Sequence, residues 1–471
     1  MALENEIAEL KKLIAKHLSE IEVLKAENAA LRSENVELRA RLNLNSQNSH
    51  KPPSSDGLGK KSDSPKTGLP KPPAQKSGGQ EGHSGHTLKM VEKPDRVVVH
   101  HAAQCPKCSK VFSQTDVVAT AGKRQVFDIP EPRMEVTEHQ LGVVECCGCQ
   151  HVGAFPVEVA QPVQYGSRIK ALSVMLNNDY KVPLDKIEQL MRDLWGGSFN
   201  TSTVVNANAG MDAALLPVEQ TIKAAILASQ VAHFDETGMR VEKSLYWCHV
   251  ASTRLFTHLF IHKKRGKEAL SSADSVLHEF RHRAVHDCWV SYFDFDQCKH
   301  ALCGAHLLRE LTALIEQDSK WAKQMHELVM ALYEASKGAS EVVPDQAHWH
   351  DKFKHICDLA DKEEAPPSVN VRGKPKQSKG RNLLNRLIKY RDLWLAFAFE
   401  PDVPFSNNQA ERDIRCLKTK QKVATNFQTL KGAQHYARIQ SFVSTLRKHS
   451  MNVFSALARI FDRQSVVFQA A

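Results

Sequence analysis

Apolar side chains recur at alternating intervals of three and four along residues 3–42. Ile7, Ile14 and Ile21 fall at a heptad's a positions, followed by Asn28, Asn35 and Leu42. Leu3, Leu10, Leu24, Leu31 and Leu38 fall at d, with His17 the one break. Ile at a with Leu at d favours two parallel strands, and a buried Asn at a fixes register at a cost in stability. A solitary amphipathic helix packed on its own chain is the competing reading; the narrow seam favours a leucine-zipper homodimer over residues 1–44. The pattern then stops. Residues 45–95 are rich in Pro, Gly, Ser and Lys, and predict a disordered basic linker that cannot bury enough surface to offset its ordering entropy. Lys60, Lys61, Lys66, Lys71 and Lys76 could track phosphates there, or simply keep the linker solvated.

Helical periodicity returns over 163–225. One helix begins at Ser167 and a second at Pro183, running through Ile187, Leu190, Met191 and Leu194. Gly196 and Gly197 stop it, and 200–203 can cap a third. A helix-turn-helix is permitted, and so is plain packing. From Val231 the period becomes two. Segments 231–235, 245–250 and 255–261 suit an antiparallel meander with links at Gly238 and 252–254. Residues 267–280 read as a helix and 283–287 as another short strand. The order β-β-β-α-β, with Asp235 and Asp287 closing the first and fourth strands, is the RNase H-type arrangement, in which those strands are neighbours. Further on, 321–337, 349–361 and 381–399 read as helices, with an exposed basic loop at 372–381.

Composition adds bounds. A chain of 471 residues suggests three or four units at roughly 100–200 residues each. Lys plus Arg number 63 against 53 Asp plus Glu, giving +10, so an acidic polymer is a plausible partner. No run is long and apolar enough for a membrane span, and the acidic N-terminus does not resemble a signal peptide, so the expected location is cytoplasmic. In a reduced setting, paired cysteines read better as metal ligands than as disulfides. Cys105/Cys108 and Cys146/Cys149 form two C-x-x-C pairs, which suit one structural Zn²⁺ in a β-rich module over 96–160, with strands expected at 124–130 and 138–144 and Cys147 spare. A redox pair or chance spacing are the rivals.

A third acid lies in 404–415. Ser406 and Gln409 make an S-x-x-Q capping box, which places Glu411 in the second turn of a helix. Arg415, Lys418 and Lys422 follow on the face of Glu411, beside Arg412. Carboxylates that hold a metal, next to cations that hold phosphates, form a phosphoryl-transfer layout. Two Mg²⁺ (or Mn²⁺) bridged by Asp235, Asp287 and Glu411 would activate the attacking oxygen and stabilise the leaving one. Glu236, Asp294 and Asp296 are nearby decoys. Cys303-x-x-His306, close to Cys298 and His300, could ligate a metal; the favoured alternative packs Cys303 inward with His306 near the acids.

Several motifs together resemble the insertion-sequence-66 family of bacterial DDE transposases. They are 44–49 and 51–56, similar to the family's N-S-x-N-S-x-x-P-P-S-S-D signature, and 79–86, similar to its G-Q-x-G-H-x-G-H segment. The paired C-x-x-C module, the D-E-T at Asp235, Asp287-Cys-Trp, the 303–310 block and the N-N-x-A-E-R block ending at Arg412 complete the set. The resemblance implies cleavage and strand transfer of double-stranded DNA, at transposon ends and target, with Asp235, Asp287 and Glu411 as the metal-binding triad. It also implies small accessory proteins of the same element. Ser406 stands where Asp is common, and 424–427 where a Ser-Gly turn is usual. A catalytically silent DNA-binding regulator is the alternative; a stand-alone RNase H-type nuclease would need neither zipper nor zinc module. The expected fold class is multidomain α+β: coiled coil, linker, zinc-binding module, helical segment, an RNase H-like core at 228–312 and 401–450 interrupted by a helical insertion at 313–400, and a C-terminal helix within 451–471.

Overall fold

The computed structural model describes residues 2–42, 48, 87–338, 342–364, 366 and 377–468. The tether lysines at 60–76, the motif at 79–86 and the first half of the basic loop at 372–381 lie outside the described residues. The chain divides into two compact units. One comprises Met1–Leu69, Pro156–Glu188 and Asn200–Ala471, the other Pro70–Phe155 and Gln189–Phe199. Among the described residues no helix is long and apolar enough to cross a membrane.

The larger unit opens with α1 (Ala2–Leu42), a continuous helix free of Pro and Gly. Its seam residues Ile7, Leu10, Ile14, Ile21, Leu24, Leu31 and Leu38 are all exposed in the single chain. Within the linker expected to be disordered, Asn48 is buried and donates to Glu316 Oε2 at 2.6 Å.

In the smaller unit, β1 (Val143–Cys146) and β2 (Cys149–Val152) form an antiparallel hairpin in which Cys146 faces Cys149. Cys147 and Gly148 make the turn with positive φ of 39° and 87°, as a two-residue hairpin loop requires. The strand expected at 124–130 does not form, and the one expected at 138–144 starts only at Val143. Val126, Ile129 and Val136 are exposed, so no packing rewards an extended pairing. Indeed no side chain of 87–155 is buried. The module also begins before its expected boundary, because the Val91 backbone exchanges two hydrogen bonds with the Gln125 side chain, at 2.8 and 2.7 Å.

The larger unit resumes with α2 (Ser167–Asn178), followed along the chain by α3 (Leu184–Trp195), α4 (Thr201–Ala214) and α5 (Leu216–Leu227). Asn200 caps α4 as expected, accepting from Ser202 N at 2.9 Å. The sheet is built from β3 (Val231–Val241), β4 (Ser244–Ser252), β5 (Thr257–His262), β6 (Arg283–His286) and β7 (Lys299–Leu302), in the order β5-β4-β3-β6-β7. β3, β4 and β5 pair antiparallel; β3, β6 and β7 pair parallel. The first and fourth strands are therefore neighbours, as the sequence pattern anticipated.

Two local expectations fail. Gly238 is not a link; β3 runs through it to Val241, and the turn is Glu242-Lys243, with φ of 49° and 66°. A Cβ at Gly238 would lie 3.3 Å from Leu245 Cδ1, a close approach across the strand pair. The helix expected at 267–280 shrinks to α6 (Lys267–Leu270). Ser272 and Ser275 turn the backbone with their hydroxyls, the usual competition of Ser with helix. Leu270, Val276, Leu277 and Phe280 are still buried.

Past the sheet run α7 (Gly304–Ile315), α8 (Lys320–Gly338), α9 (Gln346–Glu363), α10 (Lys379–Lys389), α11 (Arg391–Phe399), α12 (Asn408–Ala424), α13 (Leu430–Lys448) and α14 (Val453–Phe461). The helix expected at 381–399 breaks at Tyr390, whose ring stacks on Phe293 at 4.3 Å. The insertion is not a separate body. Trp321, Met325, Trp394 and Leu395 share one core with Val285, Ala301 and Leu302 of the sheet. A second core packs Met239, Cys248 and Leu259 of the sheet against Ile414 and Leu417 of α12 and Tyr436 of α13. Ala171 and Val174 of α2 and Met211 of α4 pack with Phe442 of α13 and Leu457 of α14, so packing accounts for these two helices.

Candidate active site

Three elements deliver the acids: β3 carries Asp235, the residue after β6 is Asp287, and α12 carries Glu411. Asp235 pairs with Val250 of β4 and lies two residues past the last β3–β6 pair, His233 with Val285. Its carboxyl is raised well above the ordinary carboxylate range, first by burial and then by the negative charges of Glu236, Asp287 and Glu411. The three sequence-predicted acids therefore share one electrostatic neighbourhood. Asp287 Oδ1 accepts the Trp289 N–H at 3.0 Å, which turns the chain away from the strand end.

Glu411 faces α7. Its Oε1 is buried and accepts no hydrogen bond. Arg309 Nη2 stands 3.6 Å and His306 Nδ1 3.8 Å from that oxygen. Cys303, His306 and Glu411 form the one group of three or more candidate ligand atoms within 4.8 Å of one another among the described residues. Burial pushes the Cys303 thiol up to about 11, so it keeps its proton. Its Sγ accepts the Asn407 N–H at 3.1 Å, in keeping with the inward-packing reading.

The start of α12 corrects the capping-box expectation. Asn407 is the N-cap, so Glu411 lies in the first turn rather than the second. Its side chain caps no helix amide: Nδ2 donates to Phe234 O at 2.7 Å and Oδ1 meets His233 Nδ1 at 3.0 Å. Burial holds the His233 pKa down at about 4, so the ring is neutral near pH 7 and Nδ1 is assigned as the donor. Gln409 turns to Asp413 instead of back to the cap.

One turn on, Asp413 accepts from Ser252 Oγ, from Thr257 Oγ1 at 2.9 Å and from Lys448 Nζ at 2.6 Å. Lys448 also donates to Thr253 O and Phe256 O, at 2.8 and 2.9 Å. This bolt joins α12 to the β4–β5 turn and to the end of α13. Reading the sequence missed it, because Asp413 and Lys448 are far apart along the chain. The other end of α12 is sewn to the β3–β4 hairpin: Phe427 N donates to Arg240 O and Glu242 N to Phe427 O, both at 3.0 Å. The unusual 424–427 turn, with Thr425 at φ 53°, thus still returns to the sheet.

Arg412, Arg415, Lys418 and Lys422 are exposed along α12. Lys418 Nζ donates to Gly238 O at 3.0 Å, and partial burial lowers its pKa. Glu236, set aside as a decoy, is a buried neighbour of the site. Burial and Asp287 raise its pKa, while Tyr292 and Arg265 donate to it. Arg265 lies over the rings of Trp247 and Trp289, at 4.9 and 4.2 Å. Asp294 and Asp296 are not among the charges acting on Asp235.

In the smaller unit, Cys105-Pro-Lys-Cys108 forms a tight turn, with Ser109 N donating to Cys105 O at 2.9 Å. The N–H groups of Cys108 and Lys107 lower the Cys105 thiol below its usual value. Cys146 and Cys149 flank the hairpin turn, and Cys146 Sγ lies 3.6 Å from His151 Nε2. The two pairs sit at separate turns and do not gather as a ligand group within 4.8 Å.

The family model described as Transposase IS66 family matches residues 162–435, more than half of the chain. The chain belongs to this family of transposases. A second model, a family of unknown function (DUF6444), matches residues 2–89. No curated protein matches the chain. In this transposase-family chain the matched span holds the sheet, the insertion, all three acids and the whole cationic face of α12.

The residues fit a divalent cation. Asp235, Asp287 and Glu411 do not gather as a ligand group within 4.8 Å, but a carboxyl raised by burial and acidic neighbours and a buried carboxylate oxygen lacking a donor are groups that a cation would satisfy. The raised Asp235 value sets a pH dependence. The folded state binds this proton more tightly than the unfolded chain, so Asp235 costs stability as pH rises from the ordinary carboxylate value through the raised one. In chelator, wild type is expected to lose stability relative to Asp235→Asn as pH rises above about 4, the ordinary carboxylate value. Urea midpoints of the two proteins check this, and parallel profiles would contradict it.

Proposed function

We propose that the chain is a DDE transposase that binds insertion-sequence ends and catalyses metal-dependent DNA cleavage and strand transfer on an RNase H-like core. The observation that carries this reading is the electrostatic coupling of Asp235 to Asp287 and Glu411, three acids from separated parts of the chain. When bound, two Mg²⁺ (or Mn²⁺) ions held by these carboxylates would supply Lewis acidity at the attacking and leaving oxygens. Asn407 and the Asp413–Lys448 bolt fix the height of Glu411. The face of α12 bearing Arg412, Arg415, Lys418 and Lys422 orients the scissile strand through its phosphates. Water attacks phosphorus and releases a 3′-hydroxyl; that hydroxyl then attacks target DNA and displaces a second 3′-oxygen. A catalytically silent regulator is the second reading, and the complete acid set argues against it.

A strand-transfer assay with donor ends in Mg²⁺ tests the chemistry. Asp235→Asn, Asp287→Asn and Glu411→Gln are each expected to lower product by more than about a hundredfold, as loss of metal-assisted charge stabilisation should. Wild-type activity in all three would sink the assignment, while an inactive wild type that binds ends specifically would favour the regulator. Binding to transposon ends should weaken steeply with salt, and Arg415→Ala with Lys422→Ala should flatten the log–log slope by about two. An unchanged slope removes the α12 face from the DNA interface.

The remaining assignments concern assembly. The four thiols Cys105, Cys108, Cys146 and Cys149 suit a structural Zn²⁺, because a module without a buried side chain needs a metal to hold it. The uncovered seam of α1 suits a parallel homodimer. Purified protein is expected to carry one zinc per chain, lost with Cys105→Ser, and to sediment as a dimer that residues 45–471 alone do not form. A zinc-free wild type, or a dimer that survives the truncation, rejects the corresponding assignment.

A further inference from the structure

The acids at the centre come from β3, from the residue after β6 and from α12, but the group of ligand atoms closest to convergence includes α7. Several contacts lock the start of α7 to the start of α12. Gly304 N donates to Phe405 O at 2.8 Å. The Phe405 ring lies so close that a Cβ on Gly304 would be 2.4 Å from it, and no other residue fits without movement. Cys303, fully buried, takes the Asn407 N–H on its sulfur. These contacts lie at the N-cap and first residue of α7. They leave His306, the third residue after Cys303, facing the first turn of α12 at Glu411.

The spacing between them is informative. His306 Nδ1 and Glu411 Oε1 are 3.8 Å apart, too far for a hydrogen bond. Two donors on one ion, each bonded at about 2.1 Å, sit about 3–4 Å apart. Glu411 Oε1 is buried and keeps its lone pairs free of any hydrogen bond. Cys303 belongs to the same group geometrically, but its sulfur is engaged with the α12 backbone and serves as the scaffold.

Resting on the transposase reading, we propose that His306 is a nitrogen ligand to the divalent ion held by Glu411, so that the centre is three carboxylates plus one imidazole. An imidazole makes that position favour Mn²⁺ over Mg²⁺ more than carboxylates alone would. Arg309, on the same face of α7 and 3.6 Å from Glu411 Oε1, flanks the position from the other side.

Mn²⁺ binding to the full chain, followed by electron paramagnetic resonance, tests this without requiring turnover. Wild type is expected to bind Mn²⁺ in a manner that Asp235→Asn abolishes, with ligand-nitrogen modulation on the Mn²⁺ spin echo. His306→Gln should lose that modulation and bind Mn²⁺ about tenfold more weakly, while unfolding at the wild-type temperature. His306→Asn, which also lacks the imidazole, should behave likewise if the Gln variant misfolds. Asp235-dependent Mn²⁺ binding without nitrogen modulation, or modulation that persists in the His306 variants, overturns the ligand assignment and leaves the carboxylate site standing. Mn²⁺ binding that ignores Asp235 overturns both.

Discussion

Three carboxylates of like sign, drawn from distant parts of the chain, must be held together against their own repulsion. That constraint explains much of the surrounding structure. Burial first, and then the repulsion of its acidic neighbours, raises the Asp235 carboxyl well above the ordinary range. Against it the fold sets fixed points on α12: Asn407 tied to β3 and Cys303, Asp413 bolted through Lys448, and Phe427 paired with the β3–β4 hairpin. The bolt is part-buried, and removing one partner leaves the other charge in a desolvated place. The helix that carries Glu411 is therefore anchored at its start, its middle and its end.

Sheet topology does the rest. The parallel pairing of β3 with β6 ends at His233 and Val285, two residues before Asp235 and Asp287, and so brings the two acids to the same end of the sheet after a long excursion through β4, β5 and α6. The insertion contributes by covering the β6–β7 side of the sheet with Trp321 and Trp394. It also supplies, through α10, a guanidinium for Glu310 on α7: Arg386 donates to it by both terminal nitrogens. Insertion and core are thus one packed body around the acid cluster.

Much of this was legible in sequence where the signal was local. The strand through Asp235, the short strand before Asp287, the Asn200 cap and the helix of 2–42 each declare themselves within a few residues. Legibility failed where tertiary contacts outvote local preference. Ser406 and Gln409 make a good capping box on paper, but Asn407 gains more by bonding Phe234 and His233. Gly238 reads as a turn residue, yet it serves a close strand crossing. The 267–280 segment has helical spacing, but its serines turn the backbone while its apolar residues reach the core separately. Asp413 and Lys448 carry no local signal at all. The strand expected at 124–130 had nothing to pack against, with Val126 and Ile129 exposed.

The central claim is that Asp235, Asp287 and Glu411 form a cluster that the fold holds ready for a divalent cation. Thermal unfolding of the full chain with and without Mg²⁺ addresses it directly. The account predicts that Mg²⁺ raises the unfolding temperature of wild type, and that Asp235→Asn, Asp287→Asn and Glu411→Gln each remove most of that gain, because an ion bound only by the folded state stabilises it by mass action. A wild-type unfolding temperature indifferent to Mg²⁺, or a gain that all three variants retain, would contradict it.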